Sequence, residues 1–144
     1  MINKQMFFDR LRYGKHTFAG GDHVYAKQHL NPDGTTGGWV AETALVEKTC
    51  TIAPDAEVYE YAQVRDQACI LGSSAVYGFA RVAGTAIIDD WAAVNDGAIV
   101  QGSAYIGNGA VICCDSYIDY GIIDRDKTYE TLCKIKDKEG DDHV

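Results

Sequence analysis

Val or Ile stands at every sixth position from Val40 to Ile118, fourteen times without a break. Two residues ahead of each is a small residue, from Gly38, Ala44 and Cys50 through to Ala110 and Ser116. Side chains alternate along extended backbone, so two such positions share one face of a strand. The residues after each Val or Ile are rich in Gly, Asp and Asn, as at Gly72, Gly78, Gly84, Asp96-Gly97, Gly102 and Asn108-Gly109. These types tolerate the backbone angles of tight turns. The pattern predicts a succession of short strands, each followed by a corner.

Over residues 38–121 this double register resembles the hexapeptide-repeat superfamily. Its members are all-β, built on a single-stranded left-handed parallel β-helix. The resemblance implies three hexads per triangular coil of roughly eighteen residues, hence about four and a half coils here. At about 4.8 Å between stacked strands the prism is roughly 20 Å tall. The small column then lies where two walls converge and a larger side chain would collide. The Val/Ile column fills the rest of the interior, each side chain contributing about 1.5–3 kcal/mol on burial, offset by backbone ordering. The resemblance also implies a homotrimer with parallel prism axes. The start Gly37-Gly38-Trp39-Val40-Ala41-Glu42 is similar to a group of uncharacterised bacterial and prophage hexapeptide-repeat proteins, which implies a bacterial, mobile-element origin.

The repeat predicts three parts: an N-terminal cap at residues 1–37, the solenoid at 38–121, and a C-terminal element and tail at 122–144. In the cap, Asn31-Pro32-Asp33-Gly34 is a turn signal, and Phe7, Phe8, Leu11 and Tyr13 suggest a short strand or helical turn. A cap over the open end would cover strand edges that otherwise invite aggregation. Residues 126–138 read as a helix or a strand, and the last five as a frayed tail.

Stacking places columns of side chains on the outside. The first face carries Trp39, Tyr59 and Tyr77, with Tyr61 and Phe79 at the adjoining corner. Tyr59 should lie below Tyr77, and Tyr61 below Phe79. The second face is mostly polar, with Leu45, Glu47, Gln63, Arg65, Arg81, Gln101 and Asp119. The third shows Cys69, Leu71, Ile87 and Tyr105, with Trp91 at its corner. So many large rings on one face need a cover, supplied either by a second subunit or by the terminal segments. Tyr and Trp suit interfaces because they join apolar area to a polar tip. The expected subunit interface is Trp39, Tyr59, Tyr61, Tyr77 and Phe79 against Leu71, Ile87 and Tyr105. Two unlike faces on a three-sided prism close as a ring of three.

Charge narrows the partners. Residues 38–121 hold eleven acids and three bases, so the repeat carries the whole net charge of −8. Nucleic-acid binding needs Lys and Arg, which this surface lacks. No apolar run is long enough for a membrane span, and no secretory leader is read at the start. Five cysteines, an odd number without zinc-type spacing, suit the reducing cytoplasm.

The familiar chemistries of such a scaffold lack their parts. Acyl transfer needs a general base, and no His occurs between His29 and His143; no loop interrupts the register. A γ-class carbonic anhydrase site needs three His on the prism to hold zinc. His16, His23 and His29, with Asp22, have no standard ligand spacing. Vicinal Cys113-Cys114 beside Asp115 reads as filler, because a carboxylate raises a thiol's pKa. The expectation is a non-catalytic binding or scaffolding protein with no catalytic residue, cofactor or metal. The alternatives are an acyltransferase-like enzyme with an acyl-CoA or small-molecule site between subunits, and an acidic inhibitor of a nucleic-acid enzyme, its acids Glu42, Glu60, Asp96 and Asp115 on one corner. The register itself is testable: Ala80→Leu should overpack a corner and cost about 1–3 kcal/mol of stability. An unchanged melting temperature would argue against it.

Overall fold

The computed structural model describes residues 13–124 as an all-β parallel solenoid of about five turns. Seventeen strands occur among the described residues, numbered in chain order. Three at the start are long: β1 (Tyr13–Thr17), β2 (His23–Leu30) and β3 (Thr36–Ala41). The other fourteen have two residues each, the length a hexad leaves once its corner is subtracted.

Three sheets form the walls. On the first face β3 is followed by β6 (Glu57–Val58), β9 (Ala75–Val76), β12 (Ala93–Val94) and β15 (Val111–Ile112), all parallel. The second face stacks β4 (Leu45–Val46), β7 (Gln63–Val64), β10 (Arg81–Val82), β13 (Ile99–Val100) and β16 (Tyr117–Ile118). The third stacks β5 (Thr51–Ile52), β8 (Cys69–Ile70), β11 (Ile87–Ile88), β14 (Tyr105–Ile106) and β17 (Ile122–Ile123). Successive partners are eighteen residues apart until the last. There Tyr105 pairs with Ile122, seventeen residues on. The corner at Asp119–Gly121 is one residue short, so the hexad count stops at Ile118 while the ladder continues through Ile123.

The inward columns are as the repeat predicts. Val58, Val64, Ile70, Val76, Val82, Ile88, Val94 and Val100 are fully buried, and so are Ala56, Ala62, Ala68, Ala80 and Ala86 beside them. Cys50 fills a small-residue place, and burial pushes its thiol up to about 11, which leaves it inert packing.

From Val58 through Ile112 each corner turns on the second residue after the inward Val or Ile. That residue adopts positive φ at Glu60, Asp66, Gly72, Gly78, Gly84, Asp90, Asp96, Gly102, Asn108 and Cys114. At Gly102 space and angle both demand glycine: φ is +62°, and a Cβ would lie 2.2 Å from Asp119 O. Where an Asp holds the corner, its carboxylate reaches one coil up. Asp66 Oδ2 accepts Gly84 N–H at 2.9 Å, and Asp90 Oδ2 accepts Asn108 N–H at 2.9 Å. Part of the acidic excess thus stitches coils together.

The open end is closed by side chains as well as strands. β2 pairs antiparallel with β3, and β1 with β2, so the N-terminal hairpin extends the first face. The expected turn forms, with Gly34 N–H donating to Asn31 O at 2.9 Å. It aims Asn31 at β5, the outermost strand of the third face. Asn31 Oδ1 accepts Ile52 N–H at 2.9 Å, and its Nδ2 donates to Ile52 O at 3.1 Å. One amide therefore makes the two bonds a further strand would supply. Buried His29 adds a third, donating from Nε2 to Cys50 O at 2.8 Å. Gly37 and Gly38 permit this approach: a Cβ would lie 2.1 Å from Ile52 O at the first and 1.9 Å from Ala56 O at the second.

No helix among the described residues is long and apolar enough to cross a membrane. Residues 1–12, with Phe7, Phe8 and Leu11, and the element read at 126–138 lie outside the described residues. The Asn31 contact yields a prediction. Asn31→Ala strands a buried N–H and C=O on Ile52 and should destabilise by about 1–3 kcal/mol or more. Urea titration measures it; an unmoved midpoint would mean that Asn31 does not hold that edge.

Candidate interaction surface

The outer side of each face carries two rows, one before and one after the inward residue. On the first face the row before holds Trp39, Glu57, Ala75, Ala93 and Val111, in register. The row after holds Tyr59, Tyr77, Asn95 and Cys113. Trp39 and Tyr59 thus stand in neighbouring rows, one before and one after the inward residue, and not in one column.

The hairpin covers the lower half of this face. His16 stacks on Trp39 with centroids 4.7 Å apart and planes 11° from parallel. Phe18 meets His16 edge-on and stacks on Tyr59 at 5.0 Å. Tyr59 in turn stacks on Tyr77 at 4.8 Å with planes 4° apart, as the register predicts. Five rings therefore form one pile, from Trp39 to Tyr77. Glu57 pins the hairpin beside it. Its Oε2 accepts from His16 Nε2 at 2.7 Å, and its Oε1 accepts Ala19 N–H at 3.0 Å. Gly20 lies on the Tyr59 ring so closely that a Cβ would be 3.2 Å from Cε2.

Of the two covers weighed for the aromatic face, a terminal segment supplies the one over Tyr59. That ring is 3 % exposed in the single chain, so it has no area left to give a second subunit. Burial in the pile, with Tyr77 and Glu57 close by, pushes its phenol up to about 12, and a backbone hydrogen bond at Gly20 offsets part of the effect.

Other rings stay in solvent. Tyr61 and Phe79 stack at 5.3 Å on the corner between the first and second faces and are 56 % and 67 % exposed. Trp91, on the corner between the third and first faces, is 76 % exposed. On the third face the row before the inward residue reads Cys69, Ile87, Tyr105 and Ile122 in pairing register. Ile122 is 73 % exposed and joins this apolar stripe through the shortened last corner. Leu71 stands in the adjacent row. Tyr105 donates its hydroxyl to Asp89 Oδ2 at 2.9 Å, and that bond holds its phenol above the usual range. The structure thus brings Ile87 and Tyr105 together, and Tyr61 and Phe79 together on another edge.

The hairpin's outer side was not legible beforehand. There Lys15 lies over the Tyr25 ring at 5.3 Å and Lys27 over the Tyr13 ring at 6.0 Å, both as cross-strand pairs. A cleft of about 440 Å³ opens beside them, lined by Tyr13, Tyr25, Lys27, Ala41, Glu42 and Ala44 among others. The cap histidines do not converge on a metal. His16 bonds Glu57, His23 Nδ1 bonds Thr17 Oγ1 at 2.7 Å, and His29 bonds Cys50 O. The acidic corner is also revised. Asp96 shares its corner place with Cys114, eighteen residues on, while Asp115 lies over Gly97 in the adjoining row.

No protein-family model, curated protein or solved structure matches the chain. The solenoid is therefore established from its own geometry.

The ring pile makes a prediction with a sign. Tyr59 binds its proton more tightly folded than unfolded, so its burial stabilises fully below about pH 10 and that contribution is lost as pH rises through about 12. His16→Ala removes the ring between Trp39 and Phe18 and the bond to Glu57. It should lower the Tyr59 transition toward 10, resolved by NMR of isotope-labelled tyrosine. An identical transition in the variant would show that His16 does not hold the hairpin over the phenol.

Proposed function

We propose that this chain is a non-catalytic binding or scaffolding protein that works as a homotrimer in the reducing cytoplasm. Each copy sets the Tyr61–Phe79 edge of its prism on the Ile87–Tyr105–Ile122 stripe of the next. One observation carries the reading. The hairpin covers Trp39 and Tyr59, yet leaves the stacked Tyr61–Phe79 pair more than half exposed beside an otherwise acidic surface. Two large rings held parallel in solvent have already lost their side-chain entropy. They add apolar area to an interface at little further cost.

The two edges differ, so their contact is heterologous, and repetition about a threefold axis closes it. No His occurs within residues 38–121, and the hairpin's His16 on the first face is already held by Glu57 and stacked on Trp39, which supports the non-catalytic part of the proposal.

Light scattering at micromolar concentration should give three times 15.7 kDa. Phe79→Ser and Ile87→Ser should each give a folded monomer, since they act on opposite sides of one contact. A monomeric native chain would overturn the trimer. Heat on titration with acetyl-CoA would overturn the non-catalytic reading in favour of an acyltransferase-like site between subunits.

A further inference from the structure

At the upper part of the first face the backbone sets two thiols side by side. Cys113 follows Ile112, the inward residue of β15, and so projects outward in the row of Tyr77 and Asn95. Cys114 turns the corner with φ at +59°. Most corner places of this solenoid use Gly, Asp or Asn for that left-handed angle, and a cysteine has no steric reason to be preferred there. One coil below, Asp96 holds the same corner place, and its Oδ2 accepts Cys114 N–H at 3.2 Å. The sulfurs of Cys113 and Cys114 and a carboxylate oxygen of Asp96 all lie within 4.8 Å of one another. Asp96 is exposed and both cysteines are partly exposed, so an ion reaches them from solvent.

We propose that Asp96, Cys113 and Cys114 form a binding site for one thiophilic divalent cation of the zinc class. Two thiolates and a carboxylate suit a borderline-soft ion; calcium and magnesium take oxygen donors instead. Zinc bonds of about 2.0–2.3 Å put tetrahedral donors roughly 3.5 Å apart, so the three atoms close on an ion by modest rotation of their side chains. Each thiol releases its proton to solvent as its sulfur–metal bond forms. Three protein donors leave the fourth tetrahedral position to water. The site hides from motif reading because its donors are an adjacent pair and a residue one coil earlier. Stacking brings them together, and chain spacing does not.

Cobalt(II) is the probe, titrated into the full chain under a non-thiol reductant. The expected result is one cobalt per chain, with thiolate-to-cobalt charge-transfer absorption and four-coordinate visible bands that zinc displaces. Cys113→Ser and Cys114→Ser should each weaken binding at least about tenfold, and Asp96→Asn by about tenfold, while Cys69→Ser leaves it unchanged. Cys114→Gly suits the corner angle, so it keeps the fold and must still lose the charge-transfer band. Absence of that band at stoichiometric cobalt, or its survival in Cys114→Gly, would overturn the site.

Discussion

Backbone hydrogen bonds between coils run along the prism axis, and each residue's partner is set by the length of one coil. Gln63 N–H reaches Ala80 O, Arg81 N–H reaches Ala98 O, and Ile99 N–H reaches Ser116 O. A parallel ladder of this kind holds its register when successive coils have matching perimeters, and among the described coils the last departs from eighteen, by one corner residue. A wall of two strand residues and a corner leaves no slack, so an inward residue too large for one coil would displace the coils on both sides. That is why a small residue and a β-branched one alternate inward at every hexad. The interior is almost wholly apolar and repetitive, and its stability comes from many similar contributions.

A stack of equal coils has ends, and its ends cannot be equal. The last strand edge presents N–H and C=O groups that another chain would otherwise pair with. This protein meets the problem at β5 with a single amide. Asn31 returns both bonds to Ile52, and Gly37 and Gly38 let the backbone come close enough. The same segment then curls over the first face and lays His16 and Phe18 on Trp39 and Tyr59. End-capping and face-covering are one structural device. That device leaves bare, among other side chains, the Tyr61–Phe79 pair and the third-face stripe, on which the proposed trimer contact rests.

The interior was legible in the sequence because the same steric rule acts at every hexad and nothing distant modifies it. Corner acids were legible as charge but not as stitching, since Asp66 meets Gly84 across one coil. The cover over Tyr59 was legible only as one of two options. It depends on contacts such as Phe18 with Tyr59, forty-one positions apart in chain, whose cause is the curl of antiparallel strands. The final strand escaped because its corner drops one residue, and a strict period of six ends there. The proposed cation site escaped for the same reason as the stitching: Asp96 meets the Cys113-Cys114 pair only once coils are stacked.

Assembly, cap and cation site all presuppose the eighteen-residue stack, so the stack is the claim to test. Spin labels on the outer row of the second face, placed in pairs from Leu45 with Gln63, Arg81, Ile99 and Tyr117, sit on successive coils of one ladder. Electron paramagnetic resonance should find their separation rising linearly by about 4.8 Å per coil, to roughly 19 Å for the last pair. Separations that fail to rise with each added eighteen residues would contradict the solenoid and everything built on it.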